Sequence, residues 1–378
     1  MDADEHGWNP AVGRNTVPRN RCFLVCLFLA AGVAAPLSAQ VPAIQNAEVS
    51  SQPLAGGLKP AIENLVRQAS EPVWIGYSVP MIPGDSTMCC FHGGSGDGNC
   101  CNGCHLEDLQ GGFSRTTGAQ TVRLEAAREV VVLIRAEAGR IDKLRSFSSD
   151  CPLDAGGRRV YWLSGVDPQQ SVDYLAEMVR ASDWSSGPAR KIADSALSAM
   201  VHHAAPGADS ALQGFISAER PHGLRKQTAF WLCTARGRTG FEIVRKVVRN
   251  DKDAHFRKEA MFALSVSKES EAIDELIHHA RNDAGSQVRE QALFWLAQKA
   301  GRKATATLTE AIERDPETQV KKQAVFALSQ LPKDEGIPLL IQVARKNNNP
   351  VVRKQAMFWL GQSNDPRALQ FFEEVLSK

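Results

Sequence analysis

Seventeen consecutive residues hold the densest set of reactive side chains in this sequence. The stretch CCFHGGSGDGNCCNGCH runs from Cys89 to His105 and carries five of the nine cysteines, with His92 and His105 among them. Three chemistries suit those residue types. Cys89, Cys90, Cys100, Cys101, Cys104 and the more distant Cys151 make an even six, which in an oxidising compartment reads as a disulfide framework. Cys101-x-x-Cys104 with His92 or His105 has the spacing of zinc ligands, two thiolates and an imidazole. Cys101-Asn-Gly-Cys104-His105 also matches C-x-x-C-H, in which two thiols take the haem vinyl groups and the histidine takes the iron. Only Met88 or His92 lies close enough in sequence to offer a second axial ligand. The disulfide set, with no metal or cofactor, is the default; zinc and c-type haem are the alternatives.

The compartment decides between them, and the first residues point to export. Arg19 and Arg21 precede an apolar run from Cys22 to Ala35, followed by Pro36, Leu37, Ser38 and Ala39. A charged flank, a short apolar core and small residues describe a secretory signal, and the run is too short to span a membrane comfortably. Residues 1–39 are therefore expected to be a signal peptide, leaving a mature chain without a membrane span and with a secreted or periplasmic location.

These groups need a scaffold, and the composition is that of an ordinary globular one: 378 residues, 43% hydrophobic and 23% charged. That length suits two or three domains. The net charge of +2 gives no global attraction to nucleic acid or to a membrane surface. Residues 40–70 read as a linker with a candidate short helix, PAIENLVRQA. From 71 to 165 apolar and polar residues alternate in VWIGYSV, TVRLE, EVVVLIRAEAG, RIDKLRSFS and RVYWLSG, which predicts strands with a hairpin turn near Ala138-Gly139. This is the expected small Cys-rich α+β domain.

Beyond it the sequence repeats. LRKQTAFWL, FRKEAMFAL, VREQALFWL, VKKQAVFAL and VRKQAMFWL place their leading basic residue at Arg225, Arg257, Arg289, Lys321 and Arg353, each 32 residues after the last. A looser copy, ARKIADSAL, begins near Arg190. Each period holds two amphipathic helical stretches, for example Phe256, Ala260, Met261 and Leu264, then Ala272, Ile273, Leu276 and Ile277. Two short helices cannot bury an apolar face alone, so the units must stack. Asp251, Asp283, Asp315 and Asn347 share the period, six residues before each basic residue, where a short polar side chain can cap the helix start and can reach the basic residue of its own or a neighbouring unit.

The pattern D…V-R-x-x-A-x-x-x-L followed by an amphipathic helix resembles the short HEAT-like repeats of the phycobilisome-lyase type, as found in bacterial exported HEAT repeat domain-containing proteins. The resemblance covers about Asp167 to Lys378, with Lys321 replacing Arg and Asn347 replacing Asp. It implies a mainly α fold: a C-terminal α-solenoid of HEAT-like helix pairs over 166–378, after the α+β domain. It also implies that the first helix of each pair lines a concave surface. On that helix, positions one, two and five residues after the basic residue point away from the core. They hold Lys226, Lys258, Glu290, Lys322 and Lys354; then Gln227, Glu259, Gln291, Gln323 and Gln355; then Phe230, Phe262, Phe294, Phe326 and Phe358. Lys226, Phe230, Lys258, Phe262, Gln291, Phe294, Lys322, Phe326, Lys354 and Phe358 are the candidate partner-binding residues. Trp231, Trp295 and Trp359 flank them in alternate units.

Other chemistries find little support. No catalytic residues stand out. HEAT-like hydroxylases carry His-Glu dipeptides as iron ligands, and this chain has none. His202-His203 and His278-His279 read as solvated or core histidines. Asp167 to Lys378 holds 30 basic and 26 acidic residues, too even a balance for nucleic acid. The expected function is a non-catalytic, exported scaffold whose partner is an exported or envelope protein or peptide. The alternative is a redox, metal or haem-binding protein using Cys89–His105, with the solenoid as platform.

Overall fold

The computed structural model describes residues 42–83, 88, 104–107 and 128–377. The expected signal segment and Cys89, Cys90, Cys100 and Cys101 lie outside these residues. The described residues form one compact unit.

Six strands make one mixed sheet. β1 (Ile44–Pro53), β2 (Val73–Pro80), β3 (Cys104–His105), β4 (Glu129–Glu137), β5 (Arg140–Ser148) and β6 (Leu153–Ser164) lie in the order β1-β6-β2-β4-β5, with β3 also on β6. The β2–β4 and β4–β5 pairs are antiparallel, while β6 runs parallel to β1, β2 and β3. Ala138 and Gly139 at the β4–β5 turn both have positive φ, as a two-residue type I′ hairpin turn requires. The two-residue period of a strand sorts the central side chains between two cores. Ile75, Tyr77, Val130, Val132 and Ile134 enter one, and Trp74, Val131, Leu133 and Trp162 the other. At Gly76 a Cβ would stand 2.9 Å from both Leu133 and Trp162, so only glycine fits between them.

Residues 40–70 differ from the linker expected of them. Ile44–Pro53 is an edge strand paired with β6, and helix α1 (Leu58–Gln68) buries Leu58, Ile62 and Val66. The strand was hidden because IQNAEVSSQP is polar and mostly exposed. Backbone pairing rather than an apolar face holds it, so it carries no alternation.

Past the sheet, the described residues are helical. α2 (Pro168–Arg180), α3 (Pro188–Val201) and α4 (Pro206–Phe215) precede five helix pairs. These are α5 (His222–Ala235) with α6 (Gly237–Asn250), α7 (Ala254–Val266) with α8 (Ala272–Asn282), and α9 (Ser286–Ala300) with α10 (Thr305–Arg314). α11 (Thr318–Ser329) with α12 (Lys333–Lys346), and α13 (Pro350–Gln362) with α14 (Pro366–Leu376), complete the array. The first helices α5, α7, α9, α11 and α13 each start 32 residues after the one before and pack side by side in that order.

Sheet and solenoid share one apolar core, continuous from Leu58 to Phe371. A buried polar chain crosses the joint between them. Tyr77 Oη on β2 is 2.8 Å from Ser171 Oγ on α2, which is 2.7 Å from His203 Nε2 just past α3. His203 Nδ1 lies 2.9 Å from the Ala199 carbonyl oxygen. That oxygen can only accept, so Nδ1 carries the proton and Nε2 accepts from the Ser171 hydroxyl. Ser171 in turn accepts from Tyr77. Burial lowers the His203 pKa to about 4 and raises that of Tyr77, so both stay neutral. This histidine belongs to the core.

Candidate functional site

The face that the sequence picks out rests on a polar frame. Arg257 bonds both carboxylate oxygens of Asp283, at 2.9 and 2.7 Å, and Arg289 does the same to Asp315, at 2.7 and 2.9 Å. Arg225 pairs with Asp251. Each of these arginines therefore grips the aspartate that opens the following unit. Arg257 and Arg289 also donate to the backbone carbonyls of Asp251 and Asp283, in their own units. The aspartates are not N-caps. Their Oδ1 atoms accept from the N–H two residues on (Asp253, Gly285 and Glu317), forming Asx turns ahead of the helix. Among the first helices of the five pairs, side-chain caps come from Asp253 and Asn349.

His279 strengthens one rung. It is buried between Glu275, 3.3 Å away, and Asp283, 3.1 Å away, each four residues from it on or just past α8. The expectation of a solvated or core histidine holds for its burial but leaves out these two carboxylates, at i−4 and i+4. Burial alone would raise the Asp283 carboxyl, but hydrogen bonds from His279 and Arg257 outweigh it and hold it far below the usual carboxylate range. At the fourth rung, where the sequence has Lys321 and Asn347, Lys321 Nζ bonds the Glu313 carbonyl instead. A point charge has no fork with which to grip a side chain one unit away.

On this frame the aromatic residues form an unbroken run of ring contacts. Phe230 and Phe262 stack with centroids 5.9 Å apart and planes within 9°, and Phe294 and Phe326 stack at 6.2 Å and 5°. Between those stacks, Phe262 meets Trp295 at 5.0 Å, and Phe326 meets Trp359 at 5.0 Å. Within units, Phe294–Trp295 and Phe358–Trp359 meet edge to face at 4.8 and 5.0 Å. The alternation has a simple cause: position six holds Trp231, Ala263, Trp295, Ala327 and Trp359. Where a tryptophan follows, it bridges back to the previous phenylalanine; where alanine follows, the two phenylalanines stack. The aromatic repeat is thus two units long. The rings are both groove filling and surface. Phe230, Phe294 and Phe326 are half-buried, while Phe262 is 38% and Phe358 54% exposed.

Polar groups border the ladder. Lys226 and Lys354 are exposed, and Lys258, Gln291 and Lys322 half-buried. The lysines are interrupted by Glu290, whose carboxyl burial raises against the opposing charges of Lys258 and Lys322. At the sheet end, the ladder enters a cavity of about 520 Å³ lined by Phe147, Arg145, Asp194, His202, Phe230 and Trp231, among others. The His202 ring stands edge-on to Trp231 at 6.0 Å. A larger cleft of about 1020 Å³ is lined by α4–α6 and the loop at Asp251–Asp253 but contains none of the ladder rings.

The Cys-rich stretch is described only at its end. Cys104 and His105 are adjacent in β3, paired to Leu153 and Asp154. Neighbours in a strand project to opposite faces. Cys104 is buried among Trp74, Leu106 and Trp162, whereas His105 Nδ1 lies 3.7 Å from Asp154 on the half-exposed side. One zinc ion would have to draw Cys104 and His105 from opposite faces of β3, so these two residues as paired here do not make a zinc site together. Cys151 is disulfide-bonded and lies in the same apolar cluster as Cys104.

Residues 305–378 match the family model for HEAT repeats. The match supports reading the solenoid as a HEAT repeat array. No curated protein matches the chain. Among solved structures, human deoxyhypusine hydroxylase in complex with glycerol is similar, with 17% identity, a TM-score of 0.29, and coverage of 55% of this chain and 90% of that one. Kap121p bound to Pho4p is 15% identical with a TM-score of 0.37. The match covers 55% of this chain but only 27% of Kap121p. Kap95p, in a structure with RanGDP, is 17% identical with a TM-score of 0.37, covering 55% and 32% of the two chains. At such scores these likenesses bear on neither activity nor partners. No helix among the described residues is long and apolar enough to cross a membrane.

Proposed function

We propose that this protein is a non-catalytic interaction scaffold that holds an extended polypeptide segment along the first helices of its HEAT-like repeats. The partner on this reading is an exported or envelope protein, met in a secreted or periplasmic setting, and the binding face is the concave one. The observation that carries it is the continuous ladder from Trp231 to Phe358, with Phe262 and Phe358 open to solvent. Aromatic faces bordered by lysines and amides suit a segment with apolar or aromatic anchors and acidic side chains between them. A set of exposed rings repeated along a helix row, with no such use, is an aggregation hazard. The cysteines serve this scaffold as a disulfide brace for the sheet, a reading supported by the disulfide at Cys151.

Selection of displayed peptides on the purified chain, followed by titration on tryptophan fluorescence, tests the proposal. Acidic-aromatic peptides should be enriched. Phe262→Ser with Phe358→Ser should weaken them by at least about tenfold, roughly 1.4 kcal/mol, at unchanged helical circular dichroism. Unchanged affinity in that exposed-site variant refutes ladder binding. Phe294→Ser and Phe326→Ser, at half-buried rings, separate packing from contact.

A further inference from the structure

We propose that His222, His255 and Glu259 form a zinc site that bridges the helices α5 and α7. His222 is the first residue of α5. His255 stands in the first turn of α7, and Glu259 follows it one turn later on the same face. His222 Nε2 lies 3.0 Å from Glu259 Oε2, and His255 Nε2 lies 4.0 Å from Glu259 Oε1. One donor atom from each residue falls within 4.8 Å of the other two. A tetrahedral zinc ion about 2.0 Å from its ligands asks for ligand atoms about 3.3 Å apart. The remaining difference is a small rotation of His255, whose side chain is 62% exposed and free to make it.

Three further features fit a metal site. The two imidazoles stack at 4.4 Å with planes 24° apart, so they are already neighbours, and the rotation of His255 must also tilt its ring out of the stack to bring both nitrogens onto one ion. Behind His222, its other nitrogen, Nδ1, faces Asp253 Oδ2 at 3.9 Å, the carboxylate that commonly orients a ligating imidazole. Asp253 is itself fixed as the cap of α7, and the buried Phe256 ring meets His222 edge-on at 6.4 Å. Lys226 Nζ, 3.4 Å from Glu259 Oε1, supplies the positive charge beside that carboxylate and must withdraw for a cation to enter. Arg225 Nη1, 3.8 Å from Asp253, is the other cation nearby. Two imidazoles and one carboxylate favour zinc over calcium or magnesium, which prefer larger all-oxygen shells. Three protein ligands leave a fourth position for water.

Calorimetric titration of the tag-free, chelator-treated chain with zinc chloride decides the matter. The parent should bind one zinc more than His222→Ala/His255→Ala, so that any zinc taken by the Cys-rich stretch, common to both, cancels. Glu259→Gln should weaken that site by at least about tenfold, and Lys226→Ala should tighten it several-fold by removing the competing cation. His255 and Lys226 are exposed and His222 and Glu259 half-buried, and circular dichroism checks that the variants fold. Identical isotherms for the parent and the double variant, or no effect of both Glu259→Gln and Lys226→Ala, overturn the proposal.

Discussion

Acid should loosen the joint between sheet and solenoid through one buried histidine. His203 accepts a hydrogen bond from Ser171 at Nε2 and donates at Nδ1, so a second ring proton would find the Ser171 hydroxyl already committed to donating. Burial holds its pKa at about 4, against 6.5 for the exposed group. The folded form therefore binds the proton more weakly than the unfolded one. Its stability contribution is complete above about pH 6.5 and is lost as the pH falls toward 4. At 1.36 kcal/mol per pKa unit, the loss between about pH 7 and pH 4.5 is about 2.5 kcal/mol. Urea unfolding of the parent and of His203→Gln at both pH values isolates this loss, because glutamine does not titrate and every other group is common to both. The parent should lose about 2.5 kcal/mol more than the variant. Hydrogen exchange should show β2 and α2 opening early in the parent at acid pH. Equal losses in the two proteins refute the argument.

Two further outcomes follow from the repeats. Lys321→Arg with Asn347→Asp restores the missing rung and should raise thermal unfolding stability by about 1 kcal/mol, with neither change alone giving the gain; additive effects in the double-mutant cycle would contradict it. Gly240→Ala and Gly336→Ala put a Cβ 2.0 Å and 2.5 Å from the Leu232 and Leu328 carbonyl oxygens, so each should cost about 1–3 kcal/mol. Gly361→Ala, with nothing within 4 Å, should instead gain up to about 1 kcal/mol from helix propensity. Denaturant midpoints that move in one direction for all three would show that the close approach is not what fixes those glycines.

The array was legible because each unit must repeat the same burial problem. Phe256, Ala260, Met261 and Leu264 stand at helical spacing in the sequence and in the core of the structure. The aromatic face was legible for the same reason, but the ladder's two-unit alternation was not, since it depends on how Trp295 and Trp359 reach back across a helix gap. The reach of Asp251, Asp283 and Asp315 to the arginine of a neighbouring unit was legible from their shared period, whereas their Asx turns look like caps in sequence because both devices want a short acceptor before a helix. A row of small buried residues also keeps the period, Gly240, Ala272, Ala304, Gly336 and Ala368, and its two glycines lie tight against the Leu232 and Leu328 carbonyls. The polar edge strand β1 gave no periodic signal. His222, His255 and Glu259 gave none either, because they sit at unlike positions of two units and meet only through packing.

The rungs that join each arginine to the aspartate of the following unit make the array modular in length. Every such bond spans the same 26 residues, so a whole 32-residue unit carries away one complete rung when removed and brings one when added. The joint at Tyr77, Ser171 and His203 closes one end of the array and lies apart from those rungs. Copying or losing whole units can therefore lengthen or shorten the array while the sheet stays unchanged, and the aromatic alternation is kept only when units come or go in twos.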